Sequence, residues 1–312
     1  MLDARKLVAV VGPTAAGKSA LAVRLASELG GEVVSADSRQ VYRYMDIGTA
    51  KPTAQQRSAV PHYLLDVADP GEEYSLALFL RQAREAIDGV RARSRLPVVA
   101  GGSGQYVWGL LEGWQVPEVP PDPELRRELE TRARVEGADA LHRELGGLDP
   151  AAAGRIDVRN VRRVIRALEV AATSPRPAST GPSRRPPDFE PVIVGLEVER
   201  EELNGRIDAR VSRMVSEGWV GEVEGLLRRG YGPELPSMSS LGYGEIVRHI
   251  GGELSLQDAV ETIGVKTRGL ARHQRTWFKA SDGRIRWFEA SPDGQDAAAA
   301  WVAREVEAGS GS

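Results

Sequence analysis

A glycine-rich stretch near the start of the chain has the residue types and spacing of a phosphate-binding loop. It reads Gly12-Pro13-Thr14-Ala15-Ala16-Gly17-Lys18-Ser19, the pattern G-x-x-x-x-G-K-S. Loops of this kind direct backbone N–H groups at phosphate oxygens, and the helix that follows adds partial positive charge. Lys18 supplies a mobile cation for the outer phosphate oxygens, and the Ser19 hydroxyl can ligate Mg²⁺. The sequence therefore predicts a phosphate site over residues 12–19, without yet identifying the phosphate compound.

The segments on either side of this loop support the same interpretation. Leu7 to Val11 is short, apolar and β-branched, as in a buried parallel strand. Ala20 to Leu29 has leucine at every fourth position, which is a helix pattern. The order of strand, glycine loop and helix distinguishes a phosphate loop from an ordinary glycine-rich turn.

Two further strand ends are expected at the same edge of the sheet. A strand over Glu32 to Ser35 leads to Asp37, which should lie near the phosphate loop because ligands bind at the carboxyl ends of parallel strands. An Asp at this place is equally typical of a turn cap, and both roles stay open. A strand over Leu96 to Ala100 ends in Gly101-Gly102-Ser103-Gly104, where P-loop ATPases usually carry an acidic residue. Small residues there favour close approach of a substrate that reacts at a diphosphate.

Composition excludes several classes of protein. The chain of 312 residues has no cysteine, which rules out disulfides, thiolate metal sites and a cysteine nucleophile. No apolar run approaches the roughly 20 residues of a membrane helix, and the first strand follows the N-terminus without a signal peptide. We therefore expect a cytoplasmic protein with no membrane association. We also expect a monomer, although composition does not decide the oligomeric state. The net charge of −3 does not exclude a nucleic-acid partner, because a local basic surface can lie within a nearly neutral total.

The predicted fold class is α/β, with a P-loop NTPase-like parallel sheet core over residues 1–114 and 191–312. Residues 115–190 are predicted to form a helical insertion domain, and further helices follow the core strands toward the C-terminus. Asp122-Pro123 and Asp149-Pro150 have the form of helix starts. The other predicted elements are a strand over His62 to Val67, helices over Ser75 to Ser94 and Asn160 to Ala172, a linker over Ser174 to Pro191, a strand over Val192 to Val198, helices over Glu201 to Glu217, Val220 to Arg229 and Ser255 to about Lys279, and a strand over Arg284 to Glu289.

Two basic clusters give a second functional signal. They contain Arg162, Arg163 and Arg166, and Lys266, Arg268, Arg272, His273, Arg275 and Lys279. Both are nearly free of acidic residues at i,i+4 spacing, so several cations are expected to stay unpaired, as suits a polyanion. Two solvated helix faces are the alternative. Together with a diphosphate loop, the clusters indicate an enzyme that acts on RNA.

These segments together resemble the tRNA dimethylallyltransferases, also called tRNA isopentenyltransferases, over nearly the full chain. The motifs that carry the resemblance are Gly12 to Ser19, Asp37-Ser38, Gln40-Val41-Tyr42, Met45 to Pro52, Gly101 to Gly104, Arg162 to Glu169, Gly242-Tyr243, Thr267-Arg268, Gln274 and Thr276-Trp277. The chain departs from the family pattern at Ser103 (usually threonine), at Asn160 (often aspartate), at His273 (within a usual Lys-Arg-Gln run) and at Ser174 to Pro177.

The resemblance implies transfer of a dimethylallyl group from dimethylallyl diphosphate to the N6 amine of the adenosine 3′ of a tRNA anticodon. It implies that Asp37 is the general base toward a flipped adenosine. Residues 12–19 would bind the diphosphate, with Mg²⁺ on Ser19, and Arg210 would meet the charge that grows on the leaving group. The tRNA contacts that the resemblance implies are Asp37, Ser38, Arg39, Gln40 and Ser103 at the base, and Arg162, Arg163, Arg166, Lys266, Arg268, Arg272 and His273 at the anticodon stem-loop.

Three other functions stay open. A P-loop kinase for a small molecule would use the same loop, but it leaves Gly101 to Ser103 and the basic C-terminal helix unexplained. Isopentenyl transfer to a free adenine nucleotide would not need the basic segments. A non-catalytic RNA-binding module would not need Lys18 and Ser19.

Overall fold

A computed structural model of the chain describes residues 5–116, 119, 122–173 and 183–307. The chain divides into two compact units, Met1–Gly113 with Pro186–Ser312, and Trp114–Arg185. The bounds of the second unit are close to the predicted 115–190, and its role as a separate RNA-contacting domain stays a prediction. Most of the predicted linker and the Gly-Ser end lie outside the described residues.

The strands and helices of the described residues are given in chain order. The strands are β1 (Lys6–Val11), β2 (Gly31–Ser35), β3 (His62–Tyr63), β4 (Leu96–Ala100), β5 (Trp114–Gln115), β6 (Ser183–Arg184), β7 (Glu190–Glu197) and β8 (Ile285–Glu289). The α-helices are α1 (Lys18–Glu28), α2 (Ala54–Ala59), α3 (Leu76–Ala92), α4 (Gly104–Leu111), α5 (Pro123–Val135), α6 (Ala138–Leu148), α7 (Pro150–Ala153), α8 (Val161–Thr173), α9 (Arg200–Ser216), α10 (Trp219–Arg228), α11 (Tyr243–Ile250), α12 (Leu256–Trp277) and α13 (Pro292–Glu307).

The larger unit is built on a parallel sheet. Over the described residues its strand order is β3-β2-β4-β1-β7-β8, and each neighbouring pair is parallel. β1 lies between β4 and β7, with Val8 opposite both Val98 and Val192. Its apolar residues from Leu7 onward are fully buried, as expected of a central strand covered on both faces. The predicted α/β class with a parallel sheet core is confirmed.

Local sequence signals placed most elements of this unit correctly. Ser75 caps α3 by accepting a hydrogen bond from the Leu78 N–H, and Ser255 caps α12 in the same way. The predicted strand over His62 to Val67 is wrong beyond Tyr63, because Leu64 (φ 63°) and Asp66 (φ 58°) adopt left-handed backbone conformations that end it. Four helices of this unit were not predicted from the sequence, namely α2, α4, α11 and α13.

Contacts within the protein account for the polar residues in the segment from Met45 to Pro52. The buried Lys51 Nζ donates to the carboxylates of Asp46 (2.7 Å) and Asp66 (2.5 Å). The Glu222 carboxylate accepts backbone N–H groups of residues 46, 47 and 48. These bonds hold the segment to α10, so its polar residues serve the fold.

The smaller unit is helical and has a core of its own. Apolar residues of α5, α6 and α8, including Leu129, Leu141 and Leu168, pack together. Beneath them lies Glu169, which is fully buried and accepts hydrogen bonds from Arg126 and from the Asp122 N–H. β5 and β6 form an antiparallel pair in this unit.

Among the described helices, none combines the length and the apolar character needed to cross a bilayer.

Candidate active site

The phosphate loop joins β1 to α1 and has three residues with positive φ, Gly12 (139°), Ala15 (63°) and Gly17 (89°). A Cβ atom on Gly12 would lie 2.6 Å from the Leu196 carbonyl oxygen, so no larger residue fits there. The N–H groups of Gly17, Lys18 and Ser19 find no acceptor among the described residues, as is general where a helix begins. The loop therefore presents free donors at a helix N-terminus, which is the geometry of an anion site.

Lys18 lies at the centre of the candidate site. Its Nζ donates to the Pro13 carbonyl at 2.7 Å. Burial and, less strongly, the charge of Arg210 lower the pKa of the ammonium, the charge of Asp37 opposes both, and the net result is a pKa of about 8. Lys18, Asp37 and Arg210 come from three different segments and are near enough for their charges to influence one another.

Asp37 follows β2 and serves as a turn cap. Its Oδ1 accepts the Arg39 N–H at 2.8 Å and the Gln40 N–H at 3.4 Å. No donor among the described residues reaches Oδ2, so one carboxylate oxygen is left to accept a proton. Both roles that the sequence left open are therefore compatible with the geometry.

Arg210 extends from α9 toward the same site. Burial lowers the pKa of its guanidinium, and the nearby Asp37 carboxylate opposes this shift. In the described part of the chain, no acidic side chain forms an ion pair with Arg210. An enclosed guanidinium without an ion-pair partner is suited to a bound anion.

Ser103 joins the loop after β4 to the Asp37 segment. Its Oγ accepts the Ser38 N–H at 3.1 Å and donates to the Ser38 Oγ at 3.3 Å. Gln40 of the same segment is buried, and its side-chain amide donates to the carbonyls of Thr49 (3.2 Å) and Ala50 (3.1 Å). The Gln40 side chain therefore positions the segment from within the fold.

Contacts within the protein explain why glycine stands at the positions after β4, and the sequence did not reveal these contacts. A Cβ on Gly101 would lie 2.1 Å from the Ala36 carbonyl oxygen, and one on Gly104 would lie 2.1 Å from the Trp277 ring. A Cβ on Gly102 would lie 2.2 Å from the Gln274 amide nitrogen. Close packing within the protein thus requires these glycines, whereas the sequence had suggested close approach of a substrate.

Gln274 connects the two loops of the candidate site. From α12, its Oε1 accepts the Thr14 N–H at 2.7 Å and its amide donates to the Gly102 carbonyl at 3.1 Å. In the sequence, Gln274 stands out only as part of a motif. No local signal could assign these contacts, because Thr14 and Gln274 are 260 positions apart.

The basic cluster on α12 is partly neutralised. Lys266 pairs with Glu245, and Arg268 pairs with Asp208 at 2.5 Å, so the expectation of unpaired cations is wrong for both. Arg272 and His273 are exposed and have no ion-pair partner among the described residues. A cavity of about 500 Å³ lies between α9 and α12, lined by Arg200, Leu203, Asn204, Val265, Arg268, Ala271, Arg272 and Arg275.

The basic cluster of the smaller unit also contains both an arginine in an ion pair and arginines without one. Arg166 pairs with the buried Glu169, which corrects the expectation that it is unpaired. Arg162 and Arg163 are exposed, and within the described residues neither has an acidic partner. Asn160 accepts the Arg163 N–H at 3.3 Å, so it caps α8 although the family often has aspartate there.

This fold and site define an α/β protein with a parallel sheet core, a glycine-rich loop of the P-loop sequence pattern and an adjacent carboxylate. The family profile described as IPP transferase matches residues 40–281, and the profile described as isopentenyl transferase matches residues 5–66. The chain belongs to the IPP transferase family and is therefore a prenyltransferase, as the sequence predicted.

Similar proteins agree with this assignment. The chain is 51% identical to a tRNA dimethylallyltransferase of Thermomicrobium roseum, over 93% of this chain and 88% of the relative. It is 46% identical to a tRNA dimethylallyltransferase of Roseiflexus sp., over 97% of this chain and 99% of the relative. Among solved structures, it is similar to a tRNA isopentenylpyrophosphate transferase from Bacillus halodurans, with a TM-score of 0.71, 38% identity and coverage of 97% of both chains. It is also similar to a eukaryotic dimethylallyltransferase acting on tRNA, with a TM-score of 0.80, 26% identity and coverage of 96% of this chain and 78% of that chain.

Proposed function

We propose that the protein transfers a dimethylallyl group from dimethylallyl diphosphate to the N6 amine of the adenosine 3′ of the anticodon in tRNA, with release of diphosphate. The observation that supports it most is the proximity of Asp37 to Lys18 and Arg210 beside the phosphate loop. A base thus lies next to the cations that a leaving diphosphate needs. The relatives named as tRNA dimethylallyltransferases support the choice of substrates.

Asp37 is the proposed general base. The exocyclic amine of adenosine is a weak nucleophile, so removal of its proton as the C–N bond forms lowers the barrier. Oδ2 is the oxygen available for this proton, because Oδ1 caps the turn. The adenine that is modified must leave the stack of the anticodon loop to reach Asp37. The linked Ser38 and Ser103, with the backbone of Arg39 and Gln40, form the proposed surface that receives it.

The leaving diphosphate is stabilised by the N–H groups of residues 17–19 together with Lys18 and Arg210. Mg²⁺, when bound, adds positive charge at the leaving oxygens. The described residues offer no group of three acidic or histidine side chains that could hold a metal. The Ser19 hydroxyl would therefore be one ligand of such an ion, and phosphate and water would supply the others.

The proposed tRNA contacts differ in how they are made. Arg272, His273, Arg162 and Arg163 are exposed and can meet phosphates directly. Lys266, Arg268 and Arg166 form ion pairs within the protein. Each would contact RNA either while its ion pair persists or after an RNA phosphate has replaced the acidic partner. A monomer in the cytoplasm, as expected from the sequence, stays a prediction.

The test is an incubation of the protein with Mg²⁺, radiolabelled dimethylallyl diphosphate and unmodified tRNA, in parallel with AMP and ATP as acceptors. We expect label in tRNA alone, and its loss when the adenosine beside the anticodon is replaced. Label in the nucleotides would contradict the proposal and assign prenyl transfer to a free nucleotide. An absence of label from every acceptor, with turnover of ATP, would instead support the kinase interpretation.

A further inference from the structure

An exposed tyrosine on the segment that follows Asp37 has no role in the reaction proposed above. Tyr44 is 41% exposed, which is unusual for a large side chain in this protein. The Arg229 guanidinium carbon lies 4.4 Å from the centre of the Tyr44 ring. The Tyr231 ring stacks on it with a centroid distance of 6.4 Å and an interplanar angle of 25°. Two aromatic rings and a cation thus form one surface cluster.

The backbone at Tyr44 is strained. Its φ is +64°, a left-handed conformation that a bulky side chain rarely adopts. The flanking Tyr42 and Met45 are buried in the core and fix the two ends of the turn. Burial of the ring does not offset this strain, since Tyr44 stays partly in solvent. Strain of this kind is typical of functional sites.

The charge of this cluster is also available to a ligand. Its neighbours are neutralised, since Arg228 pairs with Glu224 and Arg43 with Asp69. Arg229 is exposed, and the structure records no acidic partner for it among the described residues.

The two segments that carry the cluster are linked by a hydrogen bond close to Asp37 in the chain. The Arg39 guanidinium donates to the Pro236 carbonyl at 3.1 Å, which ties the Asp37 segment to the segment that contains Tyr231. Tyr44 also follows Asp37 by only seven positions in the same segment, so the occupant argued for is the loop of an RNA that places another base at Asp37.

We infer that Tyr44, Tyr231 and Arg229 form a stacking platform for an unpaired base of the tRNA loop near the modified adenosine. Single-stranded RNA is held by stacking of bases on aromatic rings and arginine planes, and both kinds of group are present. This inference rests on the proposed function, since it takes tRNA to be the acceptor.

The first test compares Tyr44→Gly with Tyr44→Phe, using fluorescence anisotropy with a synthetic anticodon stem-loop. Glycine accepts the left-handed backbone and removes the ring, whereas phenylalanine keeps the ring. We expect Tyr44→Gly to raise Kd by about 5- to 150-fold, and Tyr44→Phe to change it less than about twofold. The melting temperature of Tyr44→Gly should equal or exceed that of the parent protein. An unchanged Kd in Tyr44→Gly would overturn the inference, and so would a loss of binding accompanied by a lower melting temperature.

The second test identifies the base, with stem-loops that each lack one base of the loop. One abasic position should weaken binding to the parent protein and have no further effect in Tyr44→Gly, because the two changes remove the same contact. Equal losses in both proteins at every position would refute the platform and leave the cluster to another partner.

Failure of the platform can be told apart from failure of the proposed function. Modification of the stem-loop by the parent protein is measured first, and its absence refutes the function. If the parent protein modifies the stem-loop and Tyr44→Gly binds it with an unchanged Kd, only the platform is refuted.

Discussion

At the scale of single residues, the charge of Lys18 depends on two neighbours of opposite sign. Burial and Arg210 favour loss of its proton, and Asp37 favours retention. A bound diphosphate would add negative charge and restore the ammonium. Substrate binding and protonation of Lys18 are therefore linked.

This linkage predicts a pH dependence. Because the pKa of Lys18 is lowered to about 8, kcat/KM for dimethylallyl diphosphate should fall as pH rises through that value. The measurement is kcat/KM between pH 6 and 10, with Lys18→Arg as the control, since arginine keeps its charge over this range. A basic limb that persists unchanged in Lys18→Arg would assign the titration to another group.

The same shift affects stability with a defined sign. Between about pH 8 and 10.5, the folded protein has lost the Lys18 proton and the unfolded chain still binds it. Lys18 therefore makes the folded state more stable as pH rises through this window.

Asp37 can be tested for its two roles separately. Asp37→Asn keeps an oxygen that can cap the turn and loses the base, so kcat should fall by about 10²- to 10⁴-fold with little change in melting temperature or in Kd for the stem-loop. Asp37→Ala should show the same loss in kcat and a lower melting temperature as well. A collapse of RNA affinity in Asp37→Asn would make Asp37 a binding residue.

At the scale of elements, α12 stabilises both loops of the site. Gln274 bonds to the phosphate loop and to Gly102, and the Trp108 indole donates to the Trp277 carbonyl at 2.9 Å. β8, which follows α12, pairs with β7 in the sheet. The C-terminal segments are therefore part of the core, and point substitutions are suited to testing their role in binding RNA.

Gln274→Ala should disturb the diphosphate site specifically. Loss of two hydrogen bonds, each worth about 0.5–1.5 kcal/mol, should raise KM for dimethylallyl diphosphate by about 10-fold and leave Kd for the stem-loop nearly unchanged. Gln257→Ala, on an exposed part of the same helix, is the matched control. An unaltered KM in Gln274→Ala would show that the loop holds its shape without this residue.

The sequence allowed prediction of those features that depend on neighbouring residues. The strand, loop and helix around Gly12 to Ser19, and the helices that follow Ser75 and Ser255, depend on local patterns and were predicted correctly. The contact between Thr14 and Gln274 joins distant positions, so periodicity and capping rules could not reveal it. The pairing of Lys266 with Glu245 is likewise invisible to the i,i+4 rule, because the two residues lie on different helices.

At the scale of the whole molecule, net charge of −3 coexists with exposed cations on both units. Some cations, such as Arg93, Arg126 and Lys266, form ion pairs within the fold, so binding of a polyanion would rely on the exposed cations that have no acidic partner among the described residues. Affinity for RNA should therefore depend steeply on salt.

Arg163 and Arg166 provide a matched pair for this prediction. Arg163→Ala should reduce the slope of log Kd against log salt by about one, with no change in melting temperature. Arg166→Ala should lower the melting temperature, because the buried Glu169 loses a partner at a cost of about 1–3 kcal/mol. Equal salt slopes in Arg163→Ala and the parent protein would place the RNA elsewhere.

The position of β1 between β4 and β7 has a consequence for synthesis. On the ribosome, the phosphate loop emerges early, but its strand lacks one neighbour until β7 is made. The Thr14 N–H then waits for Gln274, which comes later still. Non-local contacts of this kind form late in folding. A nascent chain therefore completes this site only after β7 and Gln274 have both left the ribosome.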